Sequence, residues 1–223
     1  MFDPIKIQRN LMNNKILRRL VPKHSLEEVQ DYWKNQNIGD KNAFTDYLNN
    51  VEGSEIFVSV VKKYLPDNND ARVLEIGSNV GRNLNAMLKN GYMDLSGIEI
   101  NSNAVEAMRT YYPELAKKVK IYNTTVEEKI CEFADNEFDL VFTVAVLMHI
   151  HSESEWIFSE MVRIAKKFII IFEDETGNAT KNFPRDYKKI FENLGMKQIQ
   201  YIDSLPHWRP IYKTRIFKKS SSL

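Results

Sequence analysis

Val73-Leu74-Glu75-Ile76-Gly77-Ser78-Asn79-Val80-Gly81-Arg82-Asn83 is the stretch on which the fold turns. Arg72 to Ile76 reads as a short apolar strand, and Gly77 ends it in a turn of small residues. A helix follows from about Gly81 to Lys89, stopped by Gly91 at a C-cap. A strand that passes through small residues into a helix lets its backbone come close to whatever lies at its carboxyl end. The helix behind it offers free N–H groups to the same place.

The alternation continues downstream. Leu95 to Ile100 reads as a second strand, leading into a helix through Met108, and Pro113 ends that region. Val119 to Tyr122 is a third strand, followed by a capping box at Thr125 to Glu128. Phe138 to Thr143 is a fourth. Ser152 to Glu155 caps a helix running to Lys166, and Lys167 to Glu173 is the fifth strand. Asp186 to Leu194 is a helix closed by Gly195. Gln198 to Ile202 and Tyr212 to Phe217 are strands joined by a loop with Pro206 and Pro210. With no helix between them, these last two predict an antiparallel edge hairpin. The sum is an α/β fold: a doubly wound, seven-stranded, mostly parallel sheet covered by helices on both faces.

Upstream of the turn-rich stretch Pro66 to Asp70 everything reads helical. Ser25 to Glu28 is a capping box opening a helix through Trp33, and Glu52 to Leu65 is another helix. The expected organisation is a helical N-terminal lid over residues 1–55 and a ligand-binding domain over 56–223. Residues 1–25 carry Lys6, Arg9, Lys15, Arg18, Arg19 and Lys23 against Asp3 alone. That reads as an amphipathic helix with a solvated charged face, or as a basic arm for a phosphorylated partner or a membrane surface.

Composition narrows the class. The 223 residues carry 31 Lys plus Arg against 30 Asp plus Glu, a net charge of +1, so a nucleic-acid partner is not expected from charge. Hydrophobic residues at 43% and charged residues at 27% are those of an ordinary globular domain. Cys131 is the single cysteine, which excludes an intrachain disulfide and fits a reducing compartment. The start lacks the basic head and apolar body of a secretory signal, and no apolar run reaches the roughly 20 residues that cross a bilayer. The expected location is cytoplasmic. No metal site is read from the sequence, and the oligomeric state is open.

In a doubly wound sheet the ligand lies beyond the carboxyl ends of the strands, where strand order reverses. The second strand ends at Gly97-Ile98-Glu99-Ile100-Asn101. A carboxylate at Glu99 can accept hydrogen bonds from both hydroxyls of a ribose. Nicotinamide dinucleotides require G-x-G-x-x-G; in that register the chain has Gly77, Asn79 and Arg82, so two of the three glycines are missing.

The acidic residue two before the first glycine, with Gly77 and Gly81 behind it, instead resembles the seven-strand, Rossmann-like (class I) methyltransferases that use S-adenosylmethionine (SAM). Their pattern is D/E-x-G-x-G-x-G, and Asn79 here replaces the middle glycine. Asn tolerates left-handed backbone, so the turn should survive. The resemblance runs from about residue 55 to 217 and also rests on Gly97 to Asn101 and on Phe138 to Ile150. It implies that Glu75, Gly77, Ser78, Asn79 and Gly81 form the cofactor loop, with Gly77 and Gly81 along the methionine part. Glu99 and Ile100 would hold the ribose region, Thr125 and Val126 would lie beside the adenine, and Val144, Ala145 and His149 where the fourth strand passes the cofactor. Phe138 to Ile150 is also similar to bacterial methyltransferases of sugar and surface-polysaccharide biosynthesis. Thr143 to Met148 departs from the Asn/Asp/Ser-Pro-Pro-aromatic motif of enzymes that methylate nucleobase amines.

Several residues have two readings. Glu75 contacts the cofactor or only supports its loop. His149 is a candidate general base because imidazole titrates near neutrality, or a structural residue. Glu173, within Glu173-Asp174-Glu175, is a candidate proton acceptor at the pocket rim or part of a solvated loop. Tyr32, Trp33, Phe44 and Tyr47, with His207, Trp208 and Arg209, cap a small substrate or pack the lid onto the core. The expected function is methyl transfer from SAM to an oxygen or nitrogen of a small polar metabolite, a sugar-like compound included. The alternatives are an RNA or protein methyltransferase using the basic N-terminal arm, and a SAM-binding scaffold without turnover.

Overall fold

The computed structural model describes residues 22–37, 40, 43–66, 70–177 and 179–220; the basic segment 1–21 lies outside the described residues. Seven strands form one sheet: β1 Arg72–Ile76, β2 Asp94–Ile98, β3 Lys120–Tyr122, β4 Phe138–Val144, β5 Ala165–Asp174, β6 Met196–Ile202 and β7 Tyr212–Lys219. Their order is β3-β2-β1-β4-β5-β7-β6. β1 to β5 are mutually parallel, and β7 runs antiparallel to both β5 and β6. The last two strands do pair as a hairpin, yet only β6 is at the edge, because β7 inserts beside β5.

The α-helices among the described residues are α1 Leu26–Lys34, α2 Val51–Lys62, α3 Arg82–Lys89, α4 Ser102–Tyr111, α5 Pro113–Ala116, α6 Val126–Lys129, α7 Ile157–Ile164 and α8 Tyr187–Asn193. None of the described helices is long and apolar enough to cross a membrane. Alternate residues along the strands feed two cores. Val73, Leu140, Phe142 and Ile170 pack with Phe57 and Val61 of α2 and Leu84 and Met87 of α3. Leu74, Ile76, Val141, Ile169 and Ile171 pack on the opposite face with Phe158 and Met161 of α7 and Phe191 of α8. The central strands, buried on both faces, are near-continuous apolar runs for this reason.

Four boundaries differ from the sequence reading. Ser152–Ser154 is a 3-10 turn, because the His151 side chain accepts from the Glu153 N–H, and α7 starts only at Ile157, without a side-chain cap. β5 begins at Ala165, so Ala165 and Lys166 belong to the strand rather than to the helix before it; Lys167 Nζ stands 2.9 Å from Asp139 of β4. Pro113 opens α5 rather than ending its region, as its missing N–H suits a first helical turn. A division at residue 55 falls inside α2, whose buried Gly53 and Ser54 already belong to the packed layer.

Candidate active site

The turn after β1 is built from left-handed backbone at Gly77 (φ 72°), Asn79 (φ 48°) and Gly81 (φ 75°). The N–H groups of Gly77 and Ser78 donate to the Ile98 carbonyl at 2.8 and 3.0 Å, which fastens the turn to the end of β2. A side chain at Gly77 would overlap the Val146 methyls, and one at Gly81 would come within 2.8 Å of Leu115 and 2.9 Å of the Met108 sulfur. Asn79 keeps the turn: its side-chain oxygen accepts from the Val80 N–H at 2.8 Å.

Glu99 follows β2 and is only 7% exposed. One carboxylate oxygen accepts from the Asn79 N–H at 2.7 Å and the other from the Asn101 N–H at 2.8 Å. Burial raises its carboxyl above the usual range, and these backbone donors oppose the rise. Each oxygen retains lone-pair capacity for a further donor. Glu75, 1% exposed, accepts from Asn83 Nδ2 at 2.7 Å through one oxygen, while its Oε2 has no partner. Burial pushes this carboxyl up to about 8. The hydroxyl of Ser78 is a second buried atom without a partner.

A cavity of about 410 Å³ opens at this edge of the sheet, between β1 and β4, where strand order reverses. Glu75, Gly77, Ser78, Asn79, Glu99, Ile100, Thr125, Val126, Val144, Ala145 and His149 all line it. Gly81 does not: its surroundings are Met108 and Leu115, so it shapes the turn from behind. Thr125 is the N-cap of α6, its hydroxyl accepting from the Glu128 N–H at 3.1 Å.

Glu173 does not line the cavity, which corrects the reading of it as a proton acceptor at the rim. It is 0% exposed and turned into the chain after β4. It accepts from Thr143 Oγ1 at 2.8 Å and from the N–H groups of Val146 and Met148 at 3.0 and 3.2 Å. Burial outweighs these donors and sets its carboxyl at about 7. It positions the turn that carries Ala145 (φ 57°) and His149. Its neighbours are no solvated loop either: Asp174 is buried, and Glu175 pairs with Arg215 at 2.5 and 2.8 Å.

His149 stands in the wall with its ring centroid 4.5 Å from that of Trp33. Nδ1 lies 3.1 Å from the Lys181 carbonyl, which places the proton there and leaves Nε2 as an acceptor. Burial lowers its pKa to about 4, so the imidazole is neutral at physiological pH.

The opposite wall comes from α1, the 3-10 turn Phe44–Tyr47, the start of α2 and the β6–β7 loop, through Trp33, Gln36, Tyr47, Asn50, Trp208, Arg209 and Tyr212. α1 begins with the expected capping box, Ser25 and Glu28 exchanging bonds of 2.7 and 3.2 Å. It is tied down by Asn101 Nδ2, which donates to the carbonyls of Trp33 and Gln36 at 3.3 and 2.9 Å. Lys181 Nζ sits 2.9 Å from the Tyr32 ring centroid. A side-chain relay, invisible in the sequence, runs along the cavity wall beside the β1 turn: Arg82 Nε donates to Ser54 Oγ (2.8 Å), which donates to Asn83 Oδ1 (2.7 Å), and Asn83 donates to Glu75.

Residues 74–170 match the family model described as a methyltransferase domain. A SAM-dependent methyltransferase from Archaeoglobus fulgidus is similar at 18% identity, with 74% of this chain and 94% of that one covered and a TM-score of 0.56. Geranyl diphosphate C-methyltransferase from Streptomyces coelicolor A3(2), crystallised with S-adenosylhomocysteine, gives 12% identity, 90% and 100% coverage and a TM-score of 0.67. The 1,6-didemethyltoxoflavin-N1-methyltransferase from Burkholderia thailandensis gives 12% identity, 99% and 92% coverage and a TM-score of 0.62. At such identities these structures establish the fold. Residues 74–170 are thus matched as a methyltransferase domain, and the strand order and the acidic Gly-turn at the switch point are similar to those of the seven-strand, class I SAM-dependent methyltransferases.

Proposed function

We propose that this chain transfers the methyl group of SAM to an oxygen or nitrogen of a small polar metabolite, a sugar or sugar-like compound being the class its β4 sequence resembles. The observation that carries this reading is the cavity itself. At about 410 Å³, between the β1 turn and α1, it has the size of small-molecule sites. Two structurally similar proteins are named for small acceptors, geranyl diphosphate and 1,6-didemethyltoxoflavin.

The residues present fit the cofactor. The unpartnered Glu75 Oε2 and Ser78 Oγ are buried donor and acceptor sites awaiting a ligand. Glu99 offers ribose-binding oxygens already fixed by backbone amides, and Gly77 clears the approach. SAM supplies an electrophilic methyl group on a sulfonium. For such an in-line displacement the protein's contribution is proximity, alignment and exclusion of water. The described residues of the expected lid, 22–37, 40 and 43–55, would supply these through Trp33, Gln36 and Tyr47. His149, neutral with Nε2 as acceptor, would orient the nucleophile by taking a hydrogen bond from its O–H or N–H rather than store its proton.

Incubation with methyl-labelled SAM and a metabolite extract, read by mass spectrometry, should place the label in a low-mass product. Label found solely in protein or RNA would overturn the small-acceptor reading and favour docking through the basic residues 1–25.

A further inference from the structure

Among the described residues, Arg82 is a buried cation without an ion-pair partner. The residue is 8% exposed and faces the cavity from the first turn of α3. Nε donates to Ser54 Oγ at 2.8 Å and Nη1 to the Tyr47 carbonyl at 2.9 Å, both neutral acceptors. Nη2 has no protein acceptor among the described residues, and no carboxylate there lies within ion-pair distance of the guanidinium. One face of the group is covered by the Trp208 ring, with Cζ 5.3 Å from its centroid. Trp208 is itself fixed, its Nε1 donating to the Gly53 carbonyl at 2.9 Å and its ring packed on Phe172. The carboxyl whose charge acts on Arg82 is Glu75, and burial keeps Glu75 largely protonated at neutral pH.

A buried charge without a partner costs several kcal/mol, so a fold that holds one rigidly in a cavity wall, with donors left unused, is preorganised for an anion. Guanidinium suits this role because its planar fork matches carboxylate and phosphate oxygens. Arg209, in the β6–β7 loop, lines the same cavity and adds to the positive field.

We propose that Arg82 is the anion receptor of this cavity and binds a carboxylate or phosphate group brought in by a ligand. The group belongs either to the methyl acceptor, which would then be an anionic metabolite, or to the amino-acid end of the cofactor. The first source deepens the proposed function and rests on it; the second needs only cofactor binding.

The test compares the full-length wild type with Arg82→Gln and Arg82→Lys. The probes are S-adenosylhomocysteine, 5′-methylthioadenosine (which lacks the amino-acid end) and inorganic phosphate. If the cofactor supplies the anion, Arg82→Gln weakens S-adenosylhomocysteine at least tenfold, leaves 5′-methylthioadenosine unchanged, and Arg82→Lys recovers part of the loss. If the acceptor supplies it, both nucleosides bind Arg82→Gln as they bind the wild type. Millimolar phosphate then raises the melting temperature of the wild-type complex with S-adenosylhomocysteine but not that of the Arg82→Gln complex. Unchanged nucleoside affinities together with the same phosphate response in wild type and Arg82→Gln overturn the proposal. Should neither nucleoside bind the wild type, the cofactor reading of the cavity falls, while an Arg82-dependent phosphate response would still support the receptor.

Discussion

The two walls of the cavity hold their side chains by different means. On the β1–β2 side, backbone amides do it: Glu99 is fixed by the N–H groups of Asn79 and Asn101, and the turn between them is fixed to β2 through the Ile98 carbonyl. On the α1 and β6–β7 side, aromatic rings pack against one another, Trp33 tilted on His149 and Trp208 edge-on to Phe172. Backbone geometry is specified locally by residue type, whereas ring packing depends on elements far apart in the chain. The first wall should therefore be unforgiving of substitution and the second adaptable, a division that suits an invariant cofactor facing a particular acceptor.

The largest test of that contrast is Gly77→Val. Left-handed backbone costs a β-branched residue about 1–2 kcal/mol, and the overlap with Val146 adds about 1–3 kcal/mol. A fall in melting temperature of about 5–15 °C is expected. Gly195→Val, with φ 88° but nothing within 4 Å of the added carbon, should lose only the strain share. Equal losses at the two sites would refute the close approach.

Next in size, Glu99→Ala should weaken S-adenosylhomocysteine by about 1.5–3 kcal/mol, since it removes hydrogen bonds to a charged group. Calorimetry showing native affinity would mean that the ribose is held elsewhere.

A pH profile probes the same wall. Glu75 at about 8 and Glu173 at about 7 lie above the ordinary carboxyl range in the folded chain. The folded state then binds more protons than the unfolded one from about pH 4.5 to 8, so stability falls as pH rises through that window. His149, at about 4, acts oppositely: its contribution is lost as pH falls from about 6.5 towards 4. Glu75→Gln should flatten the decline above pH 5 in denaturant titrations. A slope identical to wild type would show that Glu75 is ionised in the folded protein.

The smallest effect belongs to the aromatic wall. Trp33→Ala removes an aromatic pair worth about 0.5–1.5 kcal/mol and uncovers His149. In an NMR titration the His149 midpoint should move from about 4 towards 6.5. A midpoint that stays put would show that α1 does not shield the imidazole.

The same contrast decides what the sequence made legible. Glu75, Gly77, Asn79 and Glu99 could be read because a strand-to-turn junction and a carboxylate at the next strand end are local patterns with fixed spacing. Glu173 could not be placed. A strand end facing a cavity and one folded under a neighbouring turn have the same residues, and only the Val146 and Met148 amides distinguish them. The Ser152–Glu155 cap misled for a similar reason, since His151 takes the capping role one residue earlier by accepting from the Glu153 N–H, and the helix starts only at Ile157. The relay from Arg82 through Ser54 and Asn83 to Glu75 joins residues 28, 29 and 8 positions apart, and no periodicity announces it.

The insertion of β7 between β5 and β6 also makes one strand hold two parts of the molecule in place. β6 precedes β7 in the chain, yet its strand pairing is with β7 alone, so β7 is what joins β6 to the rest of the sheet. The loop carrying Trp208 and Arg209 is tethered at both ends by those two strands. A change that loosened β7 from β5 would therefore release β6 and the Trp208–Arg209 side of the cavity together, while the turn after β1 would keep its own bonds to the end of β2.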